Sequence, residues 1–159
     1  MELIDEYLAA LEIGDAERVL ALFAPDGVVH SPLYGSMPAR QFYPTLFADT
    51  AESKLTLRRV FRDDREAVAF WFDFAWVLAD GTPARFTVVD IAELTEDGLV
   101  ARLHIVYDTA PIRADFERHA NREVLRTSVA LVSTGYQEAF PRECRVIDRT
   151  ARCVSLNQG

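Results

Sequence analysis

The sequence predicts an α+β domain in which a curled sheet wraps a set of N-terminal helices. Three observations carry this expectation. Apolar residues recur at helical spacing up to about Ala48, the period changes to two from Leu55 onward, and Asp-Gly pairs punctuate the second half. Helices first and a strand meander afterwards is the order that packs helices against one face of a sheet.

The first helix is expected from about Leu3 to Ile13, with Leu3, Tyr7, Leu8 and Leu11 on or near one face. Gly14 tolerates the left-handed backbone that ends a helix, and Asp15 has the side chain to cap the next one, about Ala16 to Phe23. Pro25-Asp26-Gly27 reads as the turn that stops this second helix and starts a short strand at Val28–Ser31. A Pro- and Gly-rich loop then runs through Pro38. A third helix, about Arg40 to Ala48, presents Phe42, Tyr43, Leu46 and Phe47.

Strands follow at about 55–62, 67–78, 85–94 and 99–107, separated by Asp63-Asp64, Asp80-Gly81 and Asp97-Gly98. Asp-Gly between alternating runs is a strong hairpin signal, because Gly accepts the positive φ that a tight turn requires. Pro111 ends the last strand. The domain is therefore placed at 1–112, with an extension over 113–159. In that extension, 114 to about 126 reads as a helix with Phe116, Ala120 and Val124 on one stripe, and an irregular tail follows. His119 is expected to be solvated.

At 159 residues, with 50% hydrophobic content, the chain is long enough for one domain with a real core. No apolar run approaches the roughly 18 residues of a membrane span. Glu2, Asp5 and Glu6 stand where a signal peptide would carry basic residues, which points to a cytoplasmic protein. A net charge of −8 argues against nucleic acid, whose phosphates need clustered Lys and Arg. Residues 1–112 carry 9 basic and 19 acidic side chains, whereas all eight basic residues of 113–159 are Arg. That contrast suits a tail docking on an acidic body or on a partner subunit. Cys144 and Cys153, nine residues apart without a nearby His, match no zinc spacing; reduced thiols or a tail disulfide are the open readings. Neither a metal nor a cofactor is expected.

The run Tyr7 to Pro32, YLAALEIGDAERVLALFAPDGVVHSP, resembles the opening of the nuclear transport factor 2-like (NTF2-like) superfamily. That group includes ketosteroid isomerase and SnoaL-type polyketide cyclases. The resemblance implies a cone-shaped curved mixed β-sheet wrapped around three N-terminal helices, a cavity for a small apolar or polycyclic molecule, and homodimers formed through the sheet. In ketosteroid isomerase an Asp base moves a proton while a Tyr and a protonated Asp hold the enolate oxygen. By resemblance the oxyanion-hole Tyr falls on Tyr7 and the oxyanion-hole Asp on Asp90, within VVDIAEL; the base falls on Ser31.

Ser31 is the departure, because a serine hydroxyl has no useful basicity near neutral pH. Its neighbour His30 has the right pKa range for a base, but adjacent strand residues point to opposite faces. Asp90 alternates with Phe86, Val88, Ala92 and Leu94, which puts its carboxyl on an apolar face unless the register slips and it shares a wet face with Glu93. On the last strand, Leu103, Ile105 and Tyr107 share one side, and His104 and Asp108 the other. Cavity-lining candidates are therefore Ser31, Phe42, Phe86, Val88, Leu103, Ile105 and Tyr107. Epoxide hydrolases of this fold carry an Arg two residues before an Asp; here Asp73 follows Trp71, so that pair is missing. Two functions remain open. One is an isomerase or cyclase in which Tyr7 and Asp90 stabilise an oxyanion; the other is a non-catalytic ligand-binding or dimerisation module.

Overall fold

A computed structural model describes residues 2–62 and 67–119. The Asp63-Asp64 turn, the stripe positions Ala120 and Val124, both cysteines and the rest of the tail lie outside the described residues.

The elements follow in the order α1 (Glu2–Ile13), α2 (Ala16–Leu20), β1 (Phe23–Ser31), β2 (Gly35–Pro38), α3 (Ala39–Ala48), β3 (Thr50–Arg62), β4 (Ala67–Leu78), β5 (Pro83–Leu94) and β6 (Val100–Val106). Helical residues, here α4, follow from 113 to 119, the last described residue. The strands form one curved six-stranded sheet in the order β2-β1-β6-β5-β4-β3. Neighbours pair antiparallel except β1 and β6, which run parallel, so the sheet is mixed.

Local chemistry accounts for the breaks. Gly14 takes a φ of 71°, and the Asp15 carboxylate accepts the Arg18 backbone N–H at 3.0 Å, which caps α2. Gly81 and Gly98 adopt φ of 87° and 80° in the β4–β5 and β5–β6 turns.

Three expectations are corrected here. The second helix ends at Leu20 and not at Phe23, and Pro25-Asp26-Gly27 lies inside β1. The ladder with β6 moves from Val100 to Arg102 while β1 moves from Phe23 to Val28, so the extra residues form a bulge. A bulge accommodates Pro, which has no N–H to give the ladder. Gly27 is required there by space, since a Cβ would meet Ala24 O, Val100 O and the Phe23 ring at 3.0 Å each. The expected loop through Pro38 contains β2, a four-residue edge strand paired with β1 from Val28↔Pro38 to Ser31↔Gly35. An edge position tolerates its terminal Pro.

The core lies between the helices and the concave face of the sheet. Alternate residues of β4 (Val68, Phe70, Phe72, Phe74, Trp76, Leu78) are buried, as are Val88, Asp90 and Ala92 of β5. They pack against Ile4, Tyr7 and Leu11 of α1 and Phe42, Tyr43 and Leu46 of α3. Each fully buried aliphatic or aromatic side chain contributes about 1.5–3 kcal/mol. From α4 and the turn before it, Ile112 joins this core and Phe116 packs on it. His119 is 2% exposed, not solvated.

Candidate functional site

Asp90 is the unusual member of the concave face. Strand alternation on β5 aims its carboxyl inward, between Phe70 of β4 and Ile105 of β6 in the sheet register. It is 1% exposed. The Tyr7 hydroxyl, carried on the inner face of α1, donates to Asp90 Oδ2 at 3.3 Å. The Tyr43 hydroxyl of α3 donates in turn to the Tyr7 oxygen at 3.2 Å. Among the described residues, Asp90 Oδ1 has no hydrogen-bond partner.

Burial disfavours the charged form of each group in this chain. It lifts the Asp90 pKa to about 8, with the Tyr7 bond pulling weakly the other way. It also holds the Tyr7 and Tyr43 phenols well above their usual range. At neutral pH all three groups therefore keep their protons. Both tyrosines direct theirs along the chain toward Oδ2, which leaves Oδ1 as the oxygen to carry the proton when Asp90 is neutral.

That carboxyl lines a cavity of about 40 Å³, measured over the positions open to the centre of a water-sized sphere. Its walls are Leu11 and Leu46 from the helices, Phe42, Phe72, Phe74, Trp76 and Phe86, and Val88 and Ile105 from the sheet. Ser31, Tyr34 and Tyr107 form a second polar end. The Phe86 and Tyr107 rings stack at 4.5 Å.

Ser31 faces this cavity, as the alternation of β1 requires, and its hydroxyl is fully engaged. It accepts the backbone N–H of Leu33 at 3.4 Å and of Tyr34 at 3.3 Å, and it bonds the Tyr107 side chain. The Tyr107 phenol is raised mainly by burial, with the Ser31 bond acting against it. Tyr34 donates to Asp49 Oδ2 at 2.8 Å, at the C-terminus of α3.

The candidates divide accordingly. Tyr7, Asp90, Ser31, Phe42, Phe86, Val88, Ile105 and Tyr107 all line the one cavity. His30 does not reach it. Its Nδ1 lies 2.7 Å from Ser36 Oγ, and its ring stacks on His104 at 4.5 Å on the opposite face of the sheet. Neighbouring strand residues cannot share a face, so His30 is withdrawn as a cavity base. Leu103 is also displaced: it faces inward but lines a smaller crevice of about 10 Å³ with Ile4, Phe23 and Phe70. Asp73 pairs with Arg58 and Thr87, away from the cavity, and the Arg58 guanidinium lowers its pKa.

Sequence reasoning overlooked Tyr43 and Tyr34 as polar members of the site. Both stand in aromatic clusters that read as core, and only the partners Tyr7 and Asp49, 36 and 15 residues away in sequence, show that their hydroxyls are engaged.

A curved mixed sheet closing over helices, with an apolar cavity and a buried Tyr–Tyr–Asp chain inside, defines an NTF2-like α+β cone. The profile of the SnoaL-like domain matches residues 4–103, and the chain belongs to this family. Among solved structures it is similar to PrhC from Penicillium brasilianum, at 19% identity and a TM-score of 0.64, covering 77% of this chain and 88% of that one. It is also similar to a protein of ketosteroid isomerase-like fold from Catenulispora acidiphila, in complex with trimethylamine, at 17% identity and a TM-score of 0.63 (71% and 90% covered). An LEH-like epoxide hydrolase of M. tuberculosis aligns at 20% identity and a TM-score of 0.59 (84% and 95%). At these identities the likeness is one of fold. A search of curated proteins finds no match. Among the described residues no helix is long and apolar enough to cross a membrane.

Proposed function

We propose that the cavity receives a small, flat, apolar molecule through a carbonyl or phenol oxygen, and that Tyr7 and Asp90 hold this oxygen as negative charge develops on it. The observation that carries this reading is Asp90 Oδ1, a buried carboxyl atom without a hydrogen-bond partner among the described residues, in a cavity walled mostly by aromatic and aliphatic side chains. A protonated carboxyl there donates to a ligand oxygen at little reorganisation cost, and Tyr7 stands 3.3 Å from the same carboxyl to give the second bond. A developing oxyanion is a stronger acceptor than the neutral Asp90 it would replace as Tyr7's partner. This is electrophilic assistance suited to isomerase or cyclase chemistry. Ser31, bonded on both sides, contributes shape and no basicity, so the reaction is one in which the substrate or solvent moves the proton.

Substituted phenols test the reading. Wild-type protein is expected to bind them, and Tyr7→Phe to weaken binding about tenfold, the equivalent of one hydrogen bond. Equal affinity in the two proteins rules out the oxyanion role, and no binding at all rules out the ligand class.

A second reading, a dimerisation module, draws on the other face of the sheet. Trp71 of β4, Ile91 of β5 and Val106 of β6 are 40%, 38% and 54% exposed there. Trp71 is paired with Val89, and Val89 with Val106, so these side chains stand together. An apolar patch of this kind suits a second copy of the same sheet.

A further inference from the structure

The cavity described above, at about 40 Å³, is small beside the roughly 150 Å³ apolar cavity that accommodates benzene. One more aromatic ring stands beside this cavity, against two of its walls. Phe116 of α4 stands edge-on to Tyr34, with ring centroids 5.0 Å apart, and tilted over Trp76 at 6.1 Å. Tyr34 and Trp76 are themselves cavity walls. Behind them the indole is fixed, because Trp76 Nε1 donates to Thr50 Oγ1 at 2.8 Å. Tyr34 is fixed by its bond to Asp49. Phe116 is thus the part of this aromatic box that belongs to a separate helix, α4.

The attachment of α4 combines the apolar packing of Phe116 with polar contacts. His119, three residues beyond Phe116, carries its ring between two carboxylates. Nε2 lies 3.4 Å from Asp49 Oδ1 and Nδ1 lies 3.9 Å from Asp80 Oδ2. Asp49 ends α3 and Asp80 belongs to the β4–β5 turn, where its Oδ1 also accepts the Thr82 N–H at 3.0 Å. Among the described residues neither ring nitrogen has a well-formed hydrogen bond, although the ring is almost fully buried. At the other end, Arg113 reaches Pro32 O at 3.5 Å and Thr109 Oγ1 at 2.9 Å, close to the chain's exit from β6.

We propose that Phe116 determines which molecules enter the cavity, with α4 closing its mouth and His119, between Asp49 and Asp80, holding the helix down. The ligand class is that of the preceding section, on which this inference rests: flat apolar molecules bearing one oxygen. Admission requires Phe116 to leave the Tyr34–Trp76 box, and the width of the opened mouth sets the largest ring system accepted.

Closure is tested without a ligand through Trp76, read alone in a Trp71→Phe background, since these are the two tryptophans of the chain. Acrylamide quenching of Trp76 is expected to be weak in that background and to rise several-fold in Phe116→Ala, His119→Gln and Asp80→Asn. The last two leave the apolar packing of α4 intact, so they report on closure even if Phe116→Ala does not fold. Unchanged quenching in the folded variants overturns the proposal. Selectivity is then read with β-naphthol and the larger hydroxypyrene. Phe116→Ala is expected to bind β-naphthol faster than wild type and to gain affinity for hydroxypyrene; identical rates and the same size preference also overturn it. If quenching rises while neither phenol binds to any variant, the ligand reading fails and α4 still covers the cavity. The assignment of Phe116 as the selecting residue then falls with the ligand.

Discussion

The Tyr7 hydroxyl meets Asp90 Oδ2 at 3.3 Å, bonding the first helix to a strand 83 residues later in the chain. The bond lies in the interior, where a charge is costly, and this fixes how the protein responds to pH.

The Asp90 pKa rises from an unfolded value of about 3.9 to about 8 in the fold. Between those values the folded state binds the proton more tightly than the unfolded state does. Asp90 therefore stabilises the fold fully below pH ~4, and this contribution is lost as pH rises through about 8. Its size is on the order of 5 kcal/mol. Other carboxylates, such as Glu93 beside Arg102, have lowered pKa values and act in the opposite sense. The expected result is read as a difference: Asp90→Asn gains stability on wild type as pH climbs from 4 to 8 in urea unfolding. Parallel pH profiles for the two proteins would contradict an inward, protonated Asp90.

Removing Tyr7 and removing Tyr43 are not equivalent. Tyr7→Phe leaves both Asp90 Oδ2 and the Tyr43 hydroxyl without a partner, at a cost of about 1–3 kcal/mol. Tyr43→Phe strips a single donor and costs about 0.5–1.5 kcal/mol. The double variant is expected to cost less than the two single changes added together, because the three groups act as one chain. Simple additivity in a double-mutant cycle would show that the hydroxyls are energetically independent. The Tyr7 bond lowers the Asp90 pKa, so Tyr7→Phe should also move the pH midpoint upward.

Ser31→Asp places a base where the family resemblance expects one. The new carboxylate can accept the same two backbone N–H groups, from Leu33 and Tyr34. Wild-type protein is expected to isomerise a small β,γ-unsaturated ketone close to the background rate. The variant gains part of the about 10²–10⁴-fold that general-base transfer supplies. Fast turnover by wild type would mean that a different group already acts as base.

The outer face of the sheet gives a prediction about assembly. Trp71→Glu introduces a charge beside Val89 on the exposed apolar patch. If this face joins two copies, light scattering should show a dimer for wild type and a monomer for the variant, with the fold retained. The same mass for both proteins removes the sheet face as the contact.

Much of this architecture is written in local patterns. The alternation of Phe70, Phe72, Phe74 and Trp76 set β4 from 67 to 78, the limits that the structure shows. The same period-two logic turned Asp90 and Ser31 inward and His30 outward. The failures are positions where a distant partner overrules a local signal. Pro25-Asp26-Gly27 has the composition of a turn, yet pairing of Phe23 with Val100 of β6 draws it into a bulged strand. His119 sits in a polar, Arg-bearing segment, and its burial depends on Asp49 and Asp80, contributed by α3 and a hairpin far upstream. Tyr43 belongs to the same class, its hydroxyl gaining a role only once α1 lies beside it.

The parallel pairing of β1 with β6 has a consequence for how the chain acquires its structure. Val29 finds its neighbour Leu103 only after nearly the whole domain has been synthesised. Until then the apolar edge of the β1–β2 hairpin has nothing to pair with. The local hairpins β3–β4 and β4–β5 are free to form first, while the β1–β6 seam must wait for a large loop to close. Folding is therefore expected to be slow relative to helical domains of this size, with the exposed β1 edge as the point most vulnerable to aggregation on the ribosome.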